Sequence, residues 1–185
     1  QSLLASFDVP ALIQRTLGRL GVPAHGIIPP GLAGHNPIQT SRSSYSVAAP
    51  LPRSESLIEL KATVNPVYFV EHSIIFDQLT SDLREINFKL SPMNKTSADF
   101  NEFRQQGVAD VIVTRWIADY PDPDAFVQLF HSREGGIGRF CGTPEMDRMI
   151  ERARAESSPG VRHSLYQEIE EVIKASSNEG TFGMY

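Results

Sequence analysis

Apolar residues recur with a helical period in some stretches of this chain and alternate in others. Residues 8–21 place Leu12, Ile13, Leu17 and Leu20 at helical spacing, with Gly21 positioned to stop the helix. Over 57–64, LIELKATV puts Ile58, Leu60, Ala62 and Val64 on one face, which predicts a strand. Asn65-Pro66 breaks it. Residues 67–86 carry Ile75, Leu79, Leu83 and Ile86 at helical spacing with Arg84 and Glu85 outward, and Asn87 ends that helix. A short strand follows over 88–93. Thr96 or Ser97 can cap a second helix that reaches Gln106 and is closed by Gly107. A third strand is predicted over 108–116. Strand, helix, strand, helix, strand implies parallel pairing through right-handed crossovers. The expected fold class is α/β, with a mixed, mainly parallel sheet flanked by helices.

The remainder reads as helical. Asp122 is placed to cap a helix with Pro123 at its first position and Asp124 in its first turn. Phe126, Leu129 and Phe130 give that helix an apolar face. Residues 131–142 form a glycine-rich loop. Thr143-Pro144-Glu145 opens a helix with Met146, Met149, Ile150 and Ala153 in register. Ser158-Pro159 opens the last, with Leu165, Ile169, Val172 and Ile173 as its stripe, and Glu170 and Lys174 form a favourable pair one turn apart. Between 22 and 52 lie six prolines without periodicity, the mark of an extended segment. No internal repeat is visible. The opening QSLLASFDVPALIQR lacks the basic start and long apolar core of a signal peptide and reads as the interior of a helix.

Composition narrows the class. The 185 residues suffice for one domain with a core, and 41% hydrophobic with 21% charged is ordinary for a globular protein. A net charge of −5 without a basic stripe argues against nucleic acid. No apolar run approaches a membrane span. Cys141 stands alone, so neither an internal disulfide nor an all-cysteine zinc site is possible, and no Cys-His-Asn signature surrounds it.

The chain is organised around residues 110–124, DVIVTRWIADYPDPD. A β-rich run stops at an acidic, proline-stiffened turn, with the lone tryptophan, Trp116, where the run ends. Ligands of open α/β sheets are met at the carboxyl ends of strands. A large aromatic beside a carboxylate, here Trp116 and Asp119, can grip an apolar group that also carries positive charge. On the residues alone, Trp116 suits a core as well as a cleft, Asp119 suits a turn, and Tyr120 is open. Asp122 is read as a helix cap. Asp119, Asp122 and Asp124 do not have the spacing of a calcium loop. His25 and His35 form no helical metal pair and read as loop histidines. Gly136, Gly138 and Gly142 miss the phosphate-loop spacing and read as a connector. Arg139 reads as solvated. No metal, cofactor or catalytic residue is called for.

Four stretches, in order, resemble the extracytoplasmic solute-binding proteins that serve peptide, dipeptide and nickel ABC importers (family 5). TRWIADYPDPDAFVQLF resembles their W-x-x-D-x-x-D-P segment. GRLGVPAHGIIPPGLAGHNP is similar to their glycine- and proline-rich entry into the second lobe. SLIELKATVNPVYFVEHSIIFDQLTSDLREINFKLSPM resembles the strand, helix and strand before the tryptophan, and TPEMDRMIERARAESSPGVRHSLYQEIEEVI the closing pair of helices. The resemblance covers roughly residues 8 to 175.

The resemblance implies one C-terminal ligand-binding lobe over 1–185 of a two-lobed clamshell. Within it, 22–56 is extended, 57–116 is the strand-helix core and 122–175 the helical closing segment. It implies capture of a peptide-like or cationic solute by hinge closure against a missing N-terminal lobe, and delivery to an importer permease from a periplasmic or extracytoplasmic location. Asp119 would pair with a ligand's α-ammonium, Trp116 would line the cleft, and Tyr120 joins them as a candidate. The basic residue that some members carry three positions before the tryptophan is Val113 here. Gly138-Arg139-Phe140-Cys141-Gly142 stands where an Asn- and Tyr-rich motif is usual. A ligand-sensing module fused to a cytoplasmic regulator is the alternative, and a hydrolytic enzyme the third. Alone, the lobe is expected to bind weakly or not at all.

Overall fold

The computed structural model describes residues 8–24, 26–36 and 56–177. His25, the prolines at 37, 50 and 52, and the closing residues 178–185 lie outside the described residues. Two compact units are present: 8–22 with 56–115, and 23–36 with 116–177.

The first unit is built on strand β1 (Ile58–Val64), which lies between β2 (Phe88–Pro92) and β3 (Val111–Val113). Both pairings are parallel, with Ile58 opposite Phe88 and Ala62 opposite both Pro92 and Val111. Around the sheet run α1 (Val9–Thr16), α2 (Val67–Val70), α3 (Ser73–Glu85) and α4 (Ser97–Gln106). The fold class is α/β with a parallel sheet flanked by helices.

The simple alternation expected for β1 does not hold. Ala62, Thr63 and Val64 are all fully buried, while Ile58 is exposed. The carboxyl half of a central strand is covered on both faces, so consecutive side chains are sealed there. Thr63 tolerates this because its hydroxyl meets Asn94 Oδ1 at 3.3 Å. The buried Asn94 amide also takes the Val64 N–H and donates to the Val64 carbonyl, both at 2.7 Å. It stands in for a neighbouring strand at the point where the ladder ends.

Helix ends follow local chemistry. Thr96 caps α4 and forms a reciprocal capping box with Asp99; Gly107 closes the helix at φ +66°. The predicted helix over 67–86 is two, α2 and α3, separated by a turn at Glu71 and His72. In α3, Ile75, Leu79 and Leu83 are buried as the spacing requires. The first helix stops at Thr16 rather than Gly21. Gly18 turns at φ +55°, a short 3-10 turn follows, and Leu20 points to solvent. The third strand is also shorter than predicted. Only Val111–Val113 pair with β1, so Trp116 lies beyond the strand end in irregular chain.

The second unit is helical: α5 (Asp124–Val127), a 3-10 turn Gln128–Phe130, α6 (Gly138–Cys141), α7 (Pro144–Ala155) and α8 (Pro159–Ser177). The glycine-rich connector thus contains a single helical turn. Thr143 caps α7 through the Met146 N–H, with Pro144 in its first turn. Met146, Ile150 and Ala153 of α7 meet Leu165, Tyr166, Ile169 and Ile173 of α8 over Val127, Phe130 and Ile28. Val172, assigned to that stripe from its spacing, is on the outer side; Tyr166, four before Glu170, is fully buried in its place. The described part of the proline-rich segment, 23–36, has no helix of its own and lies within this unit.

Candidate ligand-binding site

The acidic turn of the second unit carries the candidate residues. Three aspartates lie within six residues, and their environments separate them. Asp122 accepts the Asp124 N–H at 2.8 Å, the cap-like role its sequence predicts, although the regular helix begins two residues later. Its two oxygens also receive both Nη atoms of Arg162 at 2.9 Å each. These charge-assisted bonds hold its carboxyl below the usual aspartate range, against an opposing push from burial. Asp124 takes Nε of Arg154 at 2.7 Å, and Arg154 reaches Glu134 at 3.2 Å. Asp119 is exposed and, among the described residues, its carboxylate has no hydrogen-bonding or ion-pair partner.

Asp119 instead lines an open depression of about 430 Å³, together with Pro29, Pro30, Leu32, Ala118, Tyr120, Pro121 and Phe126. Proline rings and aromatic faces make an apolar surround with a single carboxylate, a composition suited to a ligand with an apolar body and one positive charge. The Tyr120 phenol is about half exposed. Its acidity is pushed down, that is its pKa up, first by partial burial and then by the Asp124 and Asp122 carboxylates, so it remains a neutral hydrogen-bonding group.

Trp116 does not line this depression. Its indole N–H donates to the Ala125 carbonyl at 2.7 Å, and 45% of the residue remains exposed. The ring is therefore fixed at the start of α5 and open to solvent, not sealed in the core. Of the three candidates, Asp119 and Tyr120 line the depression and Trp116 does not.

Helix α8 supports both sides of the depression, and no sequence signal singled out most of its contributors. Arg162 holds the acidic turn and also donates to the Tyr166 hydroxyl at 3.0 Å, with its guanidinium stacked 4.8 Å from that ring's centre. Burial and the nearby Asp124 push the Tyr166 phenol up to about 12. Glu170, 2% exposed, accepts the Ile27 N–H at 3.0 and 3.2 Å and the Ile28 N–H at 3.1 Å. Lys174, the partner its spacing predicts, stands 3.7 Å away. Burial raises the Glu170 carboxyl above its usual range; Lys174 and the two amides oppose that shift. His35, read from sequence as a loop histidine, meets the Ile28 carbonyl at 2.8 Å. The sequence signals available on that helix were the Glu170–Lys174 spacing and Arg162 with Tyr166, four apart on one face. Among the described residues, no group of three His, Cys, Asp or Glu side chains is placed to hold a metal ion.

The parallel sheet with its flanking helices and the helical unit with its acidic turn reproduce the fold of periplasmic binding proteins. The solved murein tripeptide binding protein MppA of Escherichia coli matches with a TM-score of 0.73 at 20% identity, covering 94% of this chain and 36% of that one. DppA of Helicobacter pylori, solved with the peptide STSA, matches with a TM-score of 0.71 at 16% identity, over 94% of this chain and 35% of its own. In sequence, the model of the bacterial extracellular solute-binding proteins, family 5, matches residues 1–137, and the chain belongs to that family. Oligopeptide-binding protein OppA of Mycobacterium bovis is 30% identical over 95 residues, 50% of this chain and 16% of that protein. The chain thus spans about a sixth of that relative's length. Among the described residues, no helix is long and apolar enough to cross a membrane.

Proposed function

We propose that this chain is the C-terminal ligand-binding lobe, over 1–185, of an ABC importer's solute-binding protein, and that it captures a peptide-like or cationic solute without chemical turnover. Asp119 pairs with the solute's ammonium, Tyr120 offers a phenol beside it, and Trp116 supplies an aromatic surface at the mouth of the cleft. The observation that carries this reading is the contrast within the acidic turn. Asp122 and Asp124 are each held by an arginine, while the Asp119 carboxylate is left free in an apolar depression. A carboxylate without an internal partner gains most when a cation arrives and water leaves, because the pair strengthens as the local dielectric falls.

In the full protein a second lobe closes over the solute, and the closed state is favoured by the contacts that solute makes to both lobes. The protein then presents its cargo to a membrane permease from the periplasmic or extracytoplasmic side. Membership of a family described as extracellular solute-binding, and likeness to proteins named for oligopeptide and murein peptide binding, support this reading.

Calorimetry on the full-length protein tests it. N-acetylation of a tripeptide replaces its terminal ammonium with a neutral amide. The free form is expected to bind at least about tenfold more tightly, the worth of one charge-assisted contact of ~1.4 kcal/mol. Equal affinities would remove the ammonium from the reading, and binding of neither would remove peptides.

A further inference from the structure

The depression that Asp119 lines is also walled by Pro29, Pro30 and Leu32, on a stretch without a helix. Such a stretch has no ladder to hold it, so its backbone groups must find other partners. Three of its N–H groups find them on one face of α8. At the leading end, Ile27 and Ile28 donate both their N–H groups to the buried Glu170 carboxylate. At the trailing end, Gly34 donates its N–H to His163 Nδ1 at 3.0 Å. Between these anchors Tyr166 is fully buried against Gly34. At Gly26 a Cβ would collide with the Glu170 carboxylate, so the backbone approaches as closely as a residue without a side chain allows.

We propose that Glu170 is a positioning residue for solute selectivity: it fixes the backbone at Ile27 and Ile28, and so fixes the Pro29, Pro30 and Leu32 wall that a solute's side chain meets. This rests on the depression being the solute site. A sealed carboxylate is costly to keep unless its oxygens are satisfied, and here Oε1 accepts from Ile27 and Oε2 from Ile28, the backbone that leads into the wall. Within α8 the residue has only the 3.7 Å pair with Lys174, whereas three bonds from two N–H groups tie it to the segment lying across that helix. Glutamine has the same shape but one oxygen. With its oxygen at the Oε2 position both N–H groups can still reach it, but its NH2 then faces the Ile27 N–H, which also donates, so the wall is held less firmly.

The test uses the full-length protein and its Glu170→Gln variant with two measurements. Amide hydrogen exchange without solute reads the clamp directly. Residues 27–28 should exchange at least about tenfold faster in the variant while the amides of α7 stay unchanged. Affinities for trialanine and trileucine then read the wall. The ratio of their dissociation constants should change by at least about threefold, since a displaced apolar wall changes discrimination between side chains. A residue that only supports the fold would move both affinities by the same factor, and that outcome overturns the selectivity role. Unchanged exchange at 27–28 overturns the clamp. If the wild type binds neither peptide, the solute reading falls, and the selectivity role with it, while exchange still decides whether Glu170 holds the segment. Should Glu170→Gln fail to fold, Glu170→Asp draws the carboxylate back from the Ile27 and Ile28 N–H groups by one methylene, with exchange at 27–28 and the same peptide ratio deciding.

Discussion

Arg162 grips Asp122 with two parallel hydrogen bonds of 2.9 Å, tying α8 to the turn that presents Asp119. Both side chains keep about a quarter to a third of their surface exposed, so the pair is partly screened. The planar guanidinium matches the carboxylate in a way an ammonium does not. Arg162→Lys should therefore lose about 1–2 kcal/mol of stability, the range for a partly exposed bidentate pair. Urea unfolding of the variant, of Asp122→Asn and of the double variant gives the coupling between them; a coupling near zero would mean the pair is only geometric.

The same pair sets an acid limit. The folded carboxyl of Asp122 lies below its ordinary value of 3.8, chiefly through the Arg162 hydrogen bonds. A depressed folded value means the unfolded chain binds the proton more readily. The contribution is in place above the unfolded value and drains away as pH falls through the folded one. Wild type should lose more stability than Asp122→Asn between about pH 5 and about pH 3. Parallel stability curves for the two proteins would contradict it.

Asp119 and Trp116 should separate in a binding assay on the full-length protein. Asp119→Asn removes the charge with little change of shape, so affinity for a free tripeptide should fall at least about tenfold while the N-acetylated peptide is little affected. Trp116→Phe keeps an aromatic surface but loses the donor that holds the Ala125 carbonyl. It should weaken both peptides alike, because it alters the mouth of the site and not its charge. An unchanged free-to-acetylated ratio in Asp119→Asn would assign the ammonium to another group.

What the sequence revealed and what it concealed divide along physical lines. Regular elements with short-range rules were legible: the spacing of Ile75, Leu79 and Leu83, the Thr96 cap, the Thr143-Pro144 start, and the parallel order implied by alternating strand and helix. Leu20 and Val172 were misassigned because a periodic pattern continues on paper past the point where Gly18 turns the chain or a neighbour stops covering the face. Thr63 and Asn94 were invisible as a pair, since they are joined by a side-chain bond across 31 positions. Asp119 and Tyr120, singled out from the turn chemistry, both line the depression. Its supports could not be read, because Glu170 and Ile27 are 143 residues apart and nothing local to either announces the contact.

A comparison of two glycines isolates how closely the proline-bearing wall is seated on α8. Gly31 and Gly34 both hold left-handed backbone, at φ +91° and +86°. A Cβ at Gly31 would meet nothing within 4 Å, so Gly31→Ala carries only the backbone strain, about 1–2 kcal/mol. At Gly34 the same Cβ would run into the Cβ and main chain of Tyr166, which is fully buried and anchored by Arg162. Neither partner can yield without lifting the segment off the helix and stretching the Gly34–His163 bond. Gly34→Ala should therefore cost about 1–3 kcal/mol more than Gly31→Ala, the usual range for overpacking a filled site. Urea denaturation of the two variants supplies that difference directly. Equal costs would mean that the segment is not pressed against Tyr166, and that the wall's position is set somewhere other than on α8.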